Sequence, residues 1–372
     1  MIIGIPKEIK DNENRVGMTP AGVESLIHHS HQVLVEAEAG AGSGFTDDEY
    51  RAVGARILST AKEVYQSSDM IIKVKEPLPP EYGLLRPGQI LFTYLHLAAD
   101  KELTEALLQA RIVGIAYETI QEDNGLLPLL RPMSEVAGRM SALVAAYHLA
   151  RPFGGRGVLA PGVPGVAPGT VVILGGGTVG FNAAQVACGI GARVIVLEAD
   201  QSRIRYLDSV LPRNSTVIAS NTYNIARAIS EADAVIGAVL IPGARAPRLV
   251  TRDMLKLMKP GAVIVDVAVD QGGCVETTHP TTHSNPTYVV DDVLHYAVAN
   301  MPGAYPRTST LALSAATLPC ALEIANKGYR RAMAENRALR RGLSVHKGLL
   351  TCKPVAEAHL LEYVPVDEAL AS

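Results

Sequence analysis

The chain has 372 residues, 34 Lys plus Arg against 37 Asp plus Glu, and a pI near 6.4. That balance, with no basic run, excludes a nucleic-acid-binding surface, and the lack of an 18-residue apolar run argues against a membrane span. Cys188, Cys274, Cys320 and Cys352 are far apart with no C-x-x-C pair, which excludes a disulfide framework and suits a reduced, cytoplasmic chain.

Lys7, Glu8, Lys10 and Asp11 interrupt the start, so nothing there reads as a signal peptide, and the length predicts two domains. Ile2 to Ile5 reads as a strand. Thr19 and Pro20 then open a helix with a cap and a first-turn proline, and Val23, Leu26 and Ile27 form its buried face. Val33 to Val35 is the next strand. Thr46 with Glu49, and Thr60 with Glu63, match capping boxes and start two more helices. Further strands are expected at Met70 to Lys75, Gln89 to His96 and Arg111 to Glu118, with a helix from about Asp100 to Ala110 between the last two. The alternation predicts a parallel α/β sheet. Those three apolar runs finish in Lys75, His96 and Glu118. Each alone reads as a solvated loop charge, but ligands of open α/β sheets bind beyond the carboxyl ends of strands. Three in succession point to a site.

Met133 to Ala150 reads as one long helix, and the Gly/Pro-rich stretch from Arg151 to Gly169 as a long loop. Val171 to Leu174 is a short, uncharged, β-branched run suited to a strand buried on both faces. Gly175, Gly177 and Gly180 follow as G-x-G-x-x-G and open a small-residue helix over Phe181 to Gly189. The first glycine permits the tight turn, the second the approach of a pyrophosphate, and the third close helix–strand packing. The positive end of that helix would face the phosphates. A second strand, Arg193 to Leu197, ends at Glu198, placed to accept hydrogen bonds from a ribose. The rhythm continues through Val217 to Ser220, Ala234 to Leu240, Ala262 to Asp270 and a strand near Tyr296 to Ala299. The fold class is therefore α/β: a Rossmann-type doubly wound parallel sheet for NAD plus a second α/β domain. Past Thr308 the pattern turns helical, and this tail is expected to return to the first domain and make it discontinuous.

The residues Gly4-Ile-Pro-Lys-Glu8 with Arg15, Lys73-Val-Lys-Glu-Pro77, Leu95-His96-Leu97 and Met133-Ser-Glu-Val-Ala-Gly138 resemble the alanine dehydrogenases, as do Gly155-Arg156-Gly157, Gly162-Val-Pro-Gly165 and Asp270-Gln-Gly-Gly273. The resemblance runs in order along nearly the whole chain. It implies a substrate domain from 1–128 and 307–372, an NAD-binding Rossmann domain from 129–306, and a homo-hexamer with no nucleic-acid or membrane partner. The implied reaction is NAD-dependent oxidative deamination of L-alanine to pyruvate and ammonia. Carried over by position, Arg15 and Lys75 would bind the substrate's carboxylate and oxo group, His96 would be the general acid/base, and Asp270 would stand beside the reacting nitrogen. Cofactor contacts beyond the three glycines would fall on Ser134, Thr178, Val179, Glu198, Arg203, Ser220, Val239, Leu240, Val267, Ala268, Val269, Asp270, Val298, Ala299, Asn300 and Met301.

Two departures matter. His279 stands where the family commonly has an Arg that reaches a phosphate. Glu323 and Lys327 stand where some members carry a Glu/His magnesium pair, and an ammonium beside the carboxylate opposes a cation, so no metal is expected. His279 and His283 are read as loop residues. The chemistry agrees with the residue types: a planar fork and a point charge for a carboxylate, and an imidazole titrating near neutrality to activate water. The bland readings are Arg15 as a surface charge and His96 as a hydrogen-bonded core imidazole. For His96 and Asp270 to serve one substrate, the two carboxyl edges must face each other across a cleft. The rival functions are the NAD(H)-binding subunit of a proton-translocating transhydrogenase, whose version of the Leu91 to His96 strand lacks the histidine, a saccharopine-type dehydrogenase, and a non-catalytic NAD sensor.

Overall fold

The computed structural model describes residues 1–239 and 246–371, with the side chains of Asp270 and Gln271 outside that description. In chain order the strands are β1 (Ile2–Ile5), β2 (Gln32–Glu36), β3 (Arg56–Leu58), β4 (Met70–Ile72), β5 (Ile90–Thr93), β6 (Val113–Ala116), β7 (Thr170–Leu174), β8 (Arg193–Glu198), β9 (Ser215–Ala219), β10 (Ala234–Gly237), β11 (Val263–Asp266), β12 (Thr287–Val290), β13 (Val293–Tyr296), β14 (Leu343–His346) and β15 (Leu349–Leu350). The chain divides into two compact units, one of residues 1–133 with 303–372 and one of residues 134–302.

The first unit holds an eight-stranded sheet in the order β15-β14-β6-β5-β4-β1-β2-β3. Pairing from β6 through β3 is parallel, whereas β14 runs antiparallel to both β6 and β15. The Thr46–Glu49 and Thr60–Glu63 capping boxes both form, each Thr side chain accepting the Glu N–H while the Glu carboxylate takes the Thr N–H. The helix Pro306–Lys327 is long and apolar enough to cross a membrane by length and composition. One face of it is buried here, through Leu313, Thr317, Ala321 and Ile324.

The second unit holds a seven-stranded sheet in the order β12-β13-β11-β10-β7-β8-β9, parallel except for β12 against β13. β7 is buried along its whole length. Val171 and Ile173 pack into one apolar cluster with Ala183, Ala184 and Ala187, while Val172 and Leu174 pack into another with Ile225 and Ile229. Alternate residues thus feed layers of helices on opposite faces of the sheet, which is why this strand reads as an unbroken apolar run.

Three features differ from expectation. β4, β5 and β6 stop at Ile72, Thr93 and Ala116, so Lys75, His96 and Glu118 lie two or three residues beyond the ladder, and the residues between, Lys73, Val74, Tyr94, Leu95 and Tyr117, are buried like the strands themselves. The strand sought at Tyr296 to Ala299 is three residues earlier, as β13. β3, β12, β14 and β15 were not anticipated. They are two to four residues long and lie at sheet margins, where periodicity is weakest; β3 pairs parallel with β2, and the other three pair antiparallel.

Candidate active site

β6, β5, β4 and β1 are successive parallel neighbours, so the segments that leave their carboxyl ends emerge side by side. They carry Glu118, His96, Lys75 and, after β1, Arg15. Arg15 is 2 % exposed, so it is not a surface charge. Its guanidinium forks onto Glu13, Nε to Oε1 at 2.7 Å and Nη2 to Oε2 at 2.5 Å, while Nη1 reaches Met133 Sδ at 3.2 Å. The loop is pinned on one side by the helix Pro306–Lys327: Thr310 accepts the Val16 N–H at 3.2 Å and Ser314 the Thr19 N–H at 3.1 Å.

Behind Lys75 lies a buried ionic lattice. Lys73 Nζ sits 3.1 Å from Glu8 Oε2 and 2.8 Å from Glu81 Oε1, and the Tyr65 hydroxyl donates to the same Glu81 oxygen at 2.9 Å. Glu8 Oε1 accepts the N–H groups of Val74 (2.6 Å) and Lys75 (3.2 Å), fixing the backbone that presents Lys75. Burial pushes the Glu8 carboxyl above its ordinary range, and neighbouring Lys73 pulls the other way. Lys75 Nζ is 3.8 Å from Glu76 Oε2, and Lys10 pairs with the other oxygen of Glu76. Burial would raise the Glu76 carboxyl, but the two lysines outweigh it and hold it below its usual value.

His96 has a left-handed backbone, φ +49°, and its side chain is 44 % exposed, which excludes the core-imidazole reading. Its ring lies parallel to Tyr94, centroids 5.7 Å apart, and the buried Tyr94 hydroxyl donates to Leu129 O at 2.6 Å. Glu13, Glu81 and Tyr94 were missed from sequence. Glu8 and Lys73 entered only as members of motifs, because nothing local links Glu8 to a segment whose Val74 N–H it accepts from 66 residues away.

In the second unit the glycine turn has the shape a dinucleotide requires. Gly175 has φ +93°, a conformation L side chains rarely adopt, and a Cβ there would meet Val239 Cγ2 at 2.8 Å. A Cβ on Gly180 would lie 1.8 Å from Gly175 O, so no side chain fits. Gly177 is different. A Cβ there meets nothing within 4 Å, and as N-cap of the helix Thr178–Gly189 it makes no side-chain bond to the first-turn N–H groups. Room and donors coincide at a helix N-terminus, so the residues present fit a pyrophosphate. The Glu198 carboxylate accepts from Gly176 N (2.7 Å), Ala199 N (2.7 Å) and Asp200 N (3.0 Å), which ties β8 to the turn. Arg203 donates to Gly176 O at 2.7 Å from below, its guanidinium 4.7 Å from the Tyr206 ring centre. Ser134 lies one turn before Gly138 on the helix Arg131–His148, and a Cβ on Gly138 would meet Val179 O at 2.3 Å, so this helix is packed hard against the cradle.

Val267, Ala268 and Val269 lie in the 3₁₀ turn Val267–Gln271, whose cap is Asp266. Asp266, unforeseen from sequence, is fully buried and accepts the N–H groups of Ala268, Cys274 and Val275 at 3.0–3.2 Å. Burial raises its carboxyl. Ser220 follows β9 and donates its N–H to Glu198 O at 2.8 Å, and Val239 follows β10. Val298, Ala299, Asn300 and Met301 follow β13, with Asn300 at φ +63°. Leu240 and the Asp270 side chain lie outside the described residues.

The His279 ring stacks on Tyr288 at 3.8 Å, and His283 Nε2 is 3.3 Å from Asn300 O. Lys327 Nζ lies 2.9 Å from Glu323 Oε1 and 2.8 Å from Glu335 Oε2, and Asn336 donates to the second Glu323 oxygen at 2.8 Å. Among the described residues no group of three or more His, Cys, Asp or Glu is placed to hold a metal ion.

Comparison with known proteins identifies this arrangement. Residues 4–137 match the alanine dehydrogenase/PNT N-terminal domain, and residues 141–353 the C-terminal domain. An alanine dehydrogenase of Methanococcus maripaludis is 57 % identical over 371 residues, covering 100 % of both chains. A solved L-alanine dehydrogenase superposes with a TM-score of 0.93 at 50 % identity, over 96 % of this chain and 99 % of its own. A transhydrogenase of Sinorhizobium meliloti superposes at 0.80 with 26 % identity, over 94 % of this chain and 98 % of its own. The chain belongs to the alanine dehydrogenase/PNT family.

Proposed function

We infer that the chain catalyses reversible, NAD-dependent oxidative deamination of L-alanine to pyruvate and ammonia. The observation that carries this reading is the 57 % identity with an alanine dehydrogenase across the full length of both chains. His96, on the same sheet edge as Arg15 and Lys75, supports it.

Bound on the glycine turn through the residues expected from sequence, NAD supplies the acceptor for the hydride that leaves the substrate Cα. Arg15 and Lys75 hold the substrate carboxylate and oxo group. His96 takes a proton from the water that attacks the imine carbon, and returns it in the reverse direction. Asp270 orients the nitrogen and stabilises its positive charge while it is part of the imine.

Glu198 selects NAD over NADP, since a carboxylate fixed by three backbone N–H groups cannot turn away from a 2′-phosphate. We further propose a cytoplasmic homo-hexamer. The support is an exposed, uncharged surface: residues 157–169 carry no polar side chain, and Leu159, Val163 and Val166 are exposed, as are Leu143, Tyr147 and Phe153. Such surfaces are the material of permanent interfaces between copies of a chain.

The test is NADH formation by the purified chain with L-alanine and NAD. Turnover is expected, with far lower kcat/KM for NADP. No NADH from L-alanine would return the chain to the transhydrogenase-subunit or sensor readings. Equal efficiency with NADP would overturn the role of Glu198.

A further inference from the structure

The last rung of the second sheet sets Leu174, Gly237 and Asp266 side by side, the ends of β7, β10 and β11. The glycine turn leaves from Leu174, and the turn Val267–Gln271, which carries Asp270, leaves from Asp266. One carboxylate closes that second turn at both ends. Asp266 Oδ1 accepts the Ala268 N–H at 3.1 Å where the turn begins. Oδ2 accepts those of Cys274 and Val275 at 3.0 and 3.2 Å where the chain comes back. Leu249 and Val250 fix the returning segment from another side, donating their N–H groups to Cys274 O at 2.8 and 3.2 Å.

Two glycines make room for this arrangement. A Cβ on Gly237 would lie 2.8 Å from Asp266 Oδ1 and would press on Cys274 Sγ, and a Cβ on Gly273 would lie 2.8 Å from Oδ2. Gly273 also has φ +72°, where glycine is favoured. The carboxylate between them is fully buried, and burial pushes it above its ordinary range. An apolar side chain would fill the site without that desolvation cost, so packing does not account for an aspartate here. Its bonds to the turn do.

We propose that Asp266 is the positioning residue for the turn that carries Asp270. By clipping the start and the return to one point on β11, it fixes where Asp270 and the expected cofactor contacts Val267, Ala268 and Val269 stand. This rests on the roles given to Asp270 and to NAD in the reading above. The two oxygens have separate tasks, so substitution can part them. An asparagine whose carbonyl oxygen takes the Oδ2 place keeps both return bonds. Its amide nitrogen, a donor, then faces the Ala268 N–H and cannot accept it. The start of the turn is released with the volume nearly unchanged and no charge left to desolvate.

The experiment compares the full-length wild type with Asp266→Asn, Gly237→Ala, Asp270→Asn, and Asp266→Asn combined with Asp270→Asn. Asp266→Asn should melt within about 4 °C of wild type, the scale of one lost hydrogen bond. Amides from Ala268 to Val275 should exchange at least roughly tenfold faster. NADH, titrated without substrate, should bind roughly tenfold more weakly. In alanine oxidation kcat should fall about 10–10²-fold, with KM for L-alanine little changed. A carboxylate that only stabilised the fold would lower the melting temperature and leave kcat alone. Gly237→Ala displaces the carboxylate without removing it and should repeat the loss of kcat. Because Asp266 acts on kcat through Asp270, the double variant should be little worse than Asp270→Asn alone. Wild-type kcat in Asp266→Asn, or losses that multiply in full in the double variant, overturns the proposal. If either single variant at Asp266 or Gly237 melts early, the other decides. Near-normal turnover in Asp270→Asn, or a wild type that does not oxidise L-alanine, sinks the functional reading instead. The NADH titration of Asp266→Asn then decides, and an unchanged affinity overturns the hold on the turn.

Discussion

The two sheets finish their carboxyl edges in different materials. In the first unit the edge is made of charged side chains taken out of water: Arg15, Lys73, Glu8, Glu13 and Glu81 are all buried and each is ion-paired. In the second it is made of main chain, with a glycine turn, open N–H groups at a helix start, and carboxylates such as Glu198 and Asp266 used to pin loops. A small charged amino acid has few atoms to grip, so selectivity needs fixed side-chain charges. A pyrophosphate can be gripped by backbone donors alone. The two edges should therefore fail differently, by loss of a charge or proton carrier in one and by loss of space in the other.

The largest effect should come from the proton carrier. His96→Ala should lose roughly 10²–10⁴-fold in alanine turnover while NADH titration is unchanged, and Asp270→Asn should be comparably impaired. Near-normal turnover in either variant would falsify its assigned role.

Next is the lattice that holds the first edge together. Lys73→Met leaves Glu8 and Glu81 facing each other without their cation, and breaking a buried pair in this way costs about 3–5 kcal/mol. Denaturant unfolding should register that loss, and adding Glu81→Gln should restore part of it. If the single variant unfolds like wild type, the lattice is not what stabilises this edge.

The glycine turn offers the contrasting test. Gly180→Ala should lower stability and NADH binding together, because its Cβ would lie 1.8 Å from Gly175 O. At Gly177 a Cβ meets nothing within 4 Å, so Gly177→Ala should melt like wild type yet bind NADH at least roughly tenfold more weakly. Undiminished NADH affinity in Gly177→Ala would move the pyrophosphate elsewhere.

The smallest effect should be at an exposed ion pair. Glu335 is held at a pKa of about 2 by Arg331 and Lys327, below the ordinary 4.5. A depressed carboxyl stabilises fully above pH 4.5 and loses that contribution as pH falls towards 2. The gap in melting temperature between wild type and Glu335→Gln should be small at neutral pH, as for surface pairs generally, and should close in acid. A gap that widened there would mean the carboxylate is not the stabilising form.

Legibility followed the same division. The cradle was readable because β7, the three glycines and Glu198 are a local pattern, each position constrained by its immediate neighbours. The charged edge was readable only in outline. Lys75, His96 and Glu118 stood out at the ends of apolar runs, but their partners come from other strands, so periodicity cannot pair Glu8 with Lys73 or Glu118 with the N–H of His96. Glu13 is only two residues from Arg15, and was missed for another reason: a short polar loop reads as solvated until burial is known. β14 joins the first sheet from more than 220 residues beyond β6, and no window of sequence contains both.

The bonds from Thr310 and Ser314 to Val16 and Thr19 span 294 and 295 residues. During synthesis the Arg15 loop therefore waits for almost the whole chain before it can be fixed. At about 5–20 residues per second that interval is roughly 15–60 s. Residues 134–302, by contrast, form one continuous stretch, so their sheet can close without waiting for the C-terminal helix. The loop that presents Arg15 is fixed late, although its arginine is among the first residues made.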